Sequence, residues 1–524
     1  MRKKQPRGKG RGLAVPIIGS VLLAIGGLCY FAARWYQYLY GSQNFNSVLV
    51  TLLSGVEGVE GSIIVTFFCE AVMMTLICTV GLTVWCCHRS RFHLRLNLRG
   101  KKVTLSPVRP GLYLTASCLI CCLGIVQAIR IVGLPQWLAD MGNASPLINQ
   151  EYVSPQDTAI TFPEQKRNLI YIYLESMETT FCSEEQGGSM ETCVIPELYD
   201  LARENVSFSD TQDIGGWDNT VGANWTTGGI VAQVGGIPLL LPYGGNNSDH
   251  MRRPLESVTL LWDILKQEGY YQAMMIGSGK EFSGRLNLMT GHGFDIIYDH
   301  SSAIQDGLVP EGYKVWWGSE DSKLFDYARQ ELTKIAAREE PFHFSLLTVD
   351  THMPDGYLCP DCPNTYSEQY ENVYACSSAQ VAAFVRWIQE QPFYENTTVI
   401  LCGDHLSMDK GYFQRHNLED ARRRVYNCII NGAAQTENTQ NRVFTPRDMF
   451  PTTLAAMGCE IEGNRLGLGT NLYSDLPTLA ERMGLEQLDQ ELNRSTLPYM
   501  FRFLLEPGQG QWIKKLFPDL VPQT

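Results

Sequence analysis

A chain of 524 residues with 55 acidic and 42 basic side chains is long for one domain, and its formal charge is −13. The charge is uneven: residues 1–133 hold fifteen Lys/Arg and three acids (Glu57, Glu60 and Glu70), leaving 52 acids and 27 bases, a formal −25, in the remainder. So acidic a remainder argues against nucleic acid as a partner, because that affinity rests on Lys and Arg neutralising phosphates.

Three apolar runs occupy the first part, at 13–33, 62–87 and 112–132. Each is near or above the roughly 20 residues that a helix needs to cross hydrocarbon. The basic start of the first suggests a signal peptide, but the run is long, lacks a small-residue cleavage site and is followed by two more, so an uncleaved anchor is expected. Residues 1–12 and 88–102 (HRSRFHLRLNLRGKK) are basic, whereas 36–61 contain no Lys or Arg. The positive-inside rule then places the N-terminus and the 88–110 loop in the cytoplasm, and everything after about residue 134 outside. Glu70 is a costly intramembrane carboxylate, expected to pair with Arg34 or Arg130 near the outer ends of the neighbouring runs.

Residues 134–167 read as a polar linker with an Asn-Ala-Ser-Pro turn signal. Short β-rich runs then follow at 168–174, 271–276, 342–349, 397–402 and 425–430, alternating with amphipathic stretches such as 257–267, 323–338 and 379–391. This pattern predicts an α/β domain over 168–473, its sheet mostly parallel with helices on both faces, and a C-terminal extension at 474–524. Chemistry in such sheets gathers at the carboxyl ends of strands. Those ends carry Glu175, then Asp350-Thr351-His352, then Gly403-Asp404-His405, types that would cage a divalent cation if they converged. Singly, each has a plainer reading as a helix cap or surface residue. By itself His352 suits a turn, Arg285 a surface cation and His292 a structural role. The glycine pairs 215–216 and 228–229 lack the flanking pattern of a nucleotide loop.

Eight of the 16 cysteines lie in or beside the apolar runs, where a thiol serves as a small apolar group. Beyond them, Cys182 and Cys193 flank one polar loop, and Cys359, Cys362 and Cys376 flank another. In an oxidising compartment these read as staples, Cys182–Cys193 and Cys362–Cys376, with Cys359 left over. A metal knuckle at Cys359–Cys362 would need a second CxxC, which the sequence after the apolar runs lacks. Cys402 and Cys428 sit in strand-like runs and are expected as core thiols.

Six segments carry a resemblance in order: NLIYIYLESMETTF at 168–181, NWTTGGIVAQVGGIP at 224–238, FSGRLNLMTGHGFD at 282–295, LTVDTHMPDGY at 347–357, ILCGDHLSM at 400–408 and NRLGLGTNL at 464–472. Together with the loop YGSQNFNSVLVTLLSGVEG at 40–58, they resemble the phosphoglycerol transferase family that modifies periplasmic glucans. That family is related to lipoteichoic acid synthases within the alkaline-phosphatase/sulfatase superfamily. The resemblance implies a sulfatase-like fold with Glu175, Asp404 and His405 as metal ligands and Thr226 as a nucleophile that also touches the metal. It implies that Arg285 and His352 hold the phosphoglycerol group, and it puts Trp225 among the substrate contacts, where the family has an aromatic or basic residue before its nucleophile. Two threonines, Thr226 and Thr227, stand where the family typically has one. Thr226 is expected to carry the covalent intermediate, and Thr227-Gly228-Gly229 to open a helix whose N–H groups suit a phosphate.

The implied reaction takes phosphoglycerol from phosphatidylglycerol in the bilayer, releases diacylglycerol, and passes the group to a glycan or glycerol-containing acceptor. The implied place is a bacterial cytoplasmic membrane, with the catalytic domain periplasmic or extracellular. The ligand set is mostly hard, which predicts Mn²⁺ or Mg²⁺, with Zn²⁺ as the alternative. A sulfatase would need Cys or Ser in a C/S-x-P-x-R pattern, absent from the outer domain. A phosphoethanolamine transferase of the same fold and an inactive lipid- or glycan-binding module remain the alternative readings.

Overall fold

The computed structural model describes residues 11–40, 45, 65–87, 94–98, 101–105, 110–141, 143–240 and 254–504. The chain divides into two compact units, Met1–Asn143 with Leu241–His250, and Ala144–Leu240 with Met251–Thr524.

In the first unit, α1 (Arg11–Tyr40), α2 (Met74–Cys87, continuing a π-turn at Phe68–Met73) and α3 (Pro110–Ile131) contain the three apolar runs. The segments Ala14–Gln37, Val65–Trp85 and Gly111–Ile131 are long and apolar enough to cross a membrane. Small residues set the packing of α1 on α3: a Cβ on Gly26 would lie 2.5 Å from Cys121 Cα, and one on Gly124 2.3 Å from the Gly26 carbonyl oxygen. All three helices meet in a hydroxyl trio, with Ser20 Oγ 2.8 Å from Thr83 Oγ1 and 3.1 Å from Tyr113 OH, and Thr83 Oγ1 3.0 Å from Tyr113 OH. The expected Glu70 ion pair is not formed. Glu70, Arg34 and Arg130 are all exposed, and Arg34 Nη1 donates to Gln37 Oε1 (3.2 Å) within its own helix. The close α1–α3 approach is made by glycines and hydroxyls, and no charged pair takes part in it. Leu94–Leu98 and Lys101–Leu105 form an antiparallel hairpin inside the basic segment. Most of 40–58, which carries part of the resemblance, lies outside the described residues.

The second unit is built on a six-stranded sheet of β1 (Asn168–Leu174), β2 (Tyr271–Ile276), β3 (Ile296–Tyr298), β4 (Phe342–Leu347), β5 (Thr397–Gly403) and β6 (Asn427–Ile430). Its order is β3-β2-β4-β1-β5-β6, parallel throughout except β6, which runs antiparallel to β5. The central strands are near-continuous apolar runs because a parallel sheet is covered on both faces. Ile170, Ile172 and Leu174 point into a core shared with helices Asp321–Ala336 and Gln369–Gln389 through Phe325, Leu332, Phe384 and Val385. On the opposite face Tyr171 and Tyr173 stack at 4.4 Å, and Tyr171 OH donates to Gln233 Oε1 (2.8 Å) on α4 (Thr226–Gly235). The register pairs Leu174 with Gly403 and Tyr173 with Leu347. The residues that follow β1, β4 and β5 therefore emerge along one edge of the sheet. The antiparallel sense of β6 and the three-residue edge strand β3 go beyond what periodicity predicts.

Much of 134–167 has regular structure: helices at Leu134–Met141 and Leu147–Glu151, then Ile160–Thr161 paired antiparallel with Glu460–Ile461. Leu147 also packs with Leu468, Leu479, Leu488 and Leu492 in a small core, so the chain before the sheet and the helices after residue 473 bury one another's leucines.

Cys362 and Cys376 are joined in a disulfide, and Cys402 and Cys428 are buried free thiols. The expected Cys182–Cys193 bridge is absent, both residues being free. Backbone bonds already close that loop, Met190 N–H to Cys182 O (3.1 Å) and Val194 N–H to Phe181 O (2.8 Å). The hydrogen bond to Cys193, with burial second, pushes the Cys182 thiol up. Cys359 is a buried thiol with its sulfur 3.1 Å from Cys362 Sγ, and the disulfide takes two of the three thiols that a metal would need there.

Candidate active site

Glu175 follows β1, His405 lies two residues beyond β5, and both meet the first residue of α4. Thr226 Oγ1 lies 3.3 Å from Glu175 Oε2 and 3.4 Å from His405 Nε2. His405 Nε2 is 3.6 Å from Glu175 Oε1 and 3.5 Å from Asp404 Oδ2. Ligating atoms of Glu175, Asp404 and His405 all lie within 4.8 Å of one another, and all three residues are buried.

The surroundings orient each group. Ser176 N–H (2.7 Å) and His405 N–H (2.8 Å) both donate to Asp404 Oδ1, which leaves Asp404 Oδ2 buried with no partner. His405 Nδ1 lies 2.7 Å from the Leu406 carbonyl; because a carbonyl only accepts, Nδ1 carries the proton and Nε2 presents a lone pair to the cluster. Burial and the Glu175 charge push the Asp404 carboxyl up. Burial opposes charging of His405, but the Asp404 and Glu175 carboxylates outweigh it and hold that imidazole above its ordinary range. Two carboxylates, a lone pair and an orphaned oxygen converging in a buried site are the donor set of a divalent cation. The residues present fit one.

Helix α4 reaches this cluster because Gly229 has no side chain: a Cβ there would sit 1.8 Å from the Asp404 carbonyl oxygen. Gln233 Nε2, one turn on, donates to Gly403 O (3.0 Å) and ties the helix to β5. The two threonines diverge. Thr226 faces Glu175 and His405, while Thr227 Oγ1 donates to Ser283 Oγ (3.3 Å). Trp225, in extended conformation before the helix, lays its indole against Gly228.

Arg285 and His352 are not members of the ligand cluster of Glu175, Asp404 and His405. Buried Arg285 donates from Nη2 to Ser278 Oγ and to Gly279 O, both at 3.0 Å. It is linked to α4 through the Thr227–Ser283 bond. His352 Nδ1 lies 2.7 Å from the Met353 carbonyl, so that nitrogen carries the proton and Nε2 is the acceptor. The step from β4 toward it is tied down by Glu175 N–H donating to Thr348 Oγ1 (2.9 Å). Asp350, grouped with His352 in the sequence, turns away from the cage. Val349 N–H (2.8 Å) and Asp350 N–H (3.1 Å) donate to the Asp321 carboxylate, and Asp321 N–H donates back to Asp350 Oδ2 (3.1 Å). Burial pushes both carboxyls up, aided at Asp321 by the charges of Glu175 and Glu320 and at Asp350 by that of Asp321. His292 is structural, between Asp263 Oδ2 (2.7 Å) and the Pro254 carbonyl (3.0 Å).

Sequence reasoning missed Glu178 and Arg423. Arg423 Nε donates to buried Glu178 Oε2 (2.8 Å), and Glu178 Oε1 accepts the Ser407 N–H (3.1 Å), which fixes the turn after His405. The available signal was a second carboxylate three residues past Glu175; its partner is 245 positions away and left none.

The Sulfatase family model matches residues 167–459, more than half of the chain. The chain belongs to the sulfatase family. Among curated proteins it is similar to Phosphoglycerol transferase I of Escherichia coli, 30% identical over 320 residues, which cover 60% of this chain and 40% of that protein. The match thus spans well under half the length of that relative. Among solved structures it is similar to an alkaline phosphatase superfamily protein from Vibrio parahaemolyticus (TM-score 0.48, 19% identity, 66% of this chain and 80% of that one). The lipoteichoic acid synthase LtaP from Listeria monocytogenes is another (TM-score 0.45, 16% identity, 63% and 81%).

Proposed function

We propose that the chain is a membrane-anchored phosphoglycerol transferase. It would take phosphoglycerol from phosphatidylglycerol, release diacylglycerol, and pass the group to a hydroxyl of a glycan or glycerol-containing acceptor. The observation that carries this reading is the Thr226 hydroxyl held between Glu175 Oε2 and His405 Nε2 at the head of α4. The similarity to Phosphoglycerol transferase I selects this donor among phosphate esters.

A phosphodiester resists attack because its anionic oxygens repel nucleophiles and an alkoxide leaves poorly. A divalent cation held by Glu175, Asp404 and His405 supplies charge that acidifies the threonine hydroxyl and offsets that on phosphorus. The mostly oxygen donor set favours Mn²⁺ or Mg²⁺, with Zn²⁺ as the alternative. Thr226 Oγ forms a bond to phosphorus, its proton leaving by the Glu175 oxygen it already faces. The bond from phosphorus to the diacylglycerol oxygen breaks, and that oxygen takes a proton from His352 Nε2, which has first accepted one from solvent. An acceptor hydroxyl then forms a bond to phosphorus and gives its proton to His352, while the bond from phosphorus to Thr226 Oγ breaks and Oγ takes back the proton left on Glu175. Arg285 balances charge on the non-bridging oxygens. A donor that stays in the bilayer suits an enzyme tethered beside it, because tethering raises the effective concentration of one for the other.

Full-length protein incubated with labelled phosphatidylglycerol and Mn²⁺ tests this. Diacylglycerol release and a phosphoglycerol ester mapped by mass spectrometry to Thr226 are expected. An adduct formed only from phosphatidylethanolamine, or an ester on Thr227, would overturn the reading.

A further inference from the structure

Beside this site the chain displays two tryptophans on a strained turn. Val315 N–H donates to Gly318 O (2.9 Å) and Gly318 N–H to Val315 O (2.8 Å), so Trp316 and Trp317 are the apex of a two-residue hairpin loop. Such loops select Gly, Asn or Asp because the apex needs positive φ. Here Trp316 takes φ 51°, a left-handed conformation that is strained for a bulky residue. The turn is anchored from beneath: Ser319 N–H donates to Gly277 O (2.9 Å), and Gly318 lies so close that a Cβ would be 2.2 Å from that same oxygen. Core packing does not account for the two indoles, which remain 37% and 40% exposed.

Their position does. The Trp317 ring lies edge-on to His352 at 4.9 Å and 5.7 Å from Phe282, itself 41% exposed, while the Arg285 guanidinium lies 5.4 Å from the Phe282 ring. An aromatic rim therefore borders the two residues assigned to the phosphoglycerol group. Two polar groups beside the rim are committed elsewhere, Lys280 to Asp299 (3.6 Å) and Ser278 Oγ to Arg285 (3.0 Å), whereas a sugar platform pairs stacking with donors and acceptors for hydroxyls. Indoles favour the level of lipid headgroups, and the charged side chains beside the rim and turn, Glu281, Glu311 and Lys314, are all exposed. We infer that the Trp316–Trp317 turn, with Phe282, binds the lipid part of the donor, its glycerol backbone and first acyl methylenes. This rests on the transfer reading above and names the specificity element for its donor.

The test uses full-length protein in nanodiscs, comparing wild type with the double variant Trp316→Asn/Trp317→Ala; Asn tolerates the left-handed backbone. On bilayer phosphatidylglycerol the variant's KM should rise about tenfold, while kcat/KM on a water-soluble phosphoglycerol ester without acyl chains stays within about twofold, because only the bilayer donor offers apolar surface to the rings. Phosphatidylglycerol with brominated acyl chains should quench a share of wild-type tryptophan emission that the variant lacks. An equal loss on both donors would make the turn a phosphoryl-positioning element and overturn the inference. A rise confined to the acceptor's KM would make it a sugar platform and likewise overturn it. If wild type releases no diacylglycerol, the proposed reaction fails, and quenching still decides the contact: identical quenching in both proteins overturns it.

Discussion

The two units solve the same packing problem in opposite surroundings. In the membrane-type unit, Gly26 and Gly124 let one helix backbone touch another, and the polar contacts between helices are neutral, the Ser20–Thr83–Tyr113 trio and Trp35 Nε1 donating to Thr66 Oγ1 (3.2 Å) among the described residues. In the sheet unit, Gly229 lets a helix backbone touch the strand end that bears Asp404, and two carboxylates and an imidazole are buried within 4.8 Å of one another. Glycine permits close approach in both. What differs is what the approach brings together: apolar surface and hydroxyls in one unit, buried charge poised for chemistry in the other.

The largest expected effect breaks the charged side of this comparison. Thr226→Ala should lower diacylglycerol release by at least about 10³-fold with the melting temperature unchanged, since a nucleophile contributes to reaction and little to packing. Thr227→Ala, which loses only the Ser283 bond, should keep appreciable turnover in the same assay. Next in size is the paired glycine test. Gly229→Ala should cost about 1–3 kcal/mol in denaturant unfolding through overpacking, and should also weaken Mn²⁺ binding measured by calorimetry. Gly124→Ala should loosen the α1–α3 contact, seen as a lower unfolding midpoint in detergent, yet leave metal affinity alone.

A smaller effect concerns pH. The Asp350 carboxyl is pushed up to about 9 by burial and by Asp321. The folded state then holds a proton that the unfolded chain releases near pH 4, so stability falls as pH rises between those values. Asp350→Asn keeps an acceptor for the Asp321 N–H and should flatten that decline in melting temperature between pH 5 and about 9. A decline of equal slope in the variant would exclude the pair as its source. Smallest is Thr83→Val in the hydroxyl trio, expected to cost about 0.6 kcal/mol of unfolding free energy in detergent, because hydrogen bonds between membrane helices are modest.

The two cysteine loops differ in what closes them, although Cys182 and Cys193 are in hydrogen-bond contact. Cys182–Cys193 and Cys362–Cys376 both flank short polar loops, yet only the second pair is bonded. The first loop is already closed by backbone hydrogen bonds, which no count of intervening residues reveals.

Sequence alone determined whatever depends on local pattern. The three apolar runs declare themselves because hydrocarbon demands unbroken apolar length. The strands at 168–174 and 271–276 are read to the residue because a two-sided parallel sheet requires continuous apolar runs. Ordered motifs named Glu175, Thr226, Asp404 and His405 before any geometry. Tertiary structure decided what depends on residues far apart in the chain. It faced Thr226 to the cluster and Thr227 away from it, paired Asp350 with Asp321 outside the cage, and joined Glu178 to Arg423. It also set Trp317 beside His352 and left Glu70 without the arginine expected for it. The reason is common to all of these: a side chain's partner is fixed by strand order and register, and local periodicity carries neither.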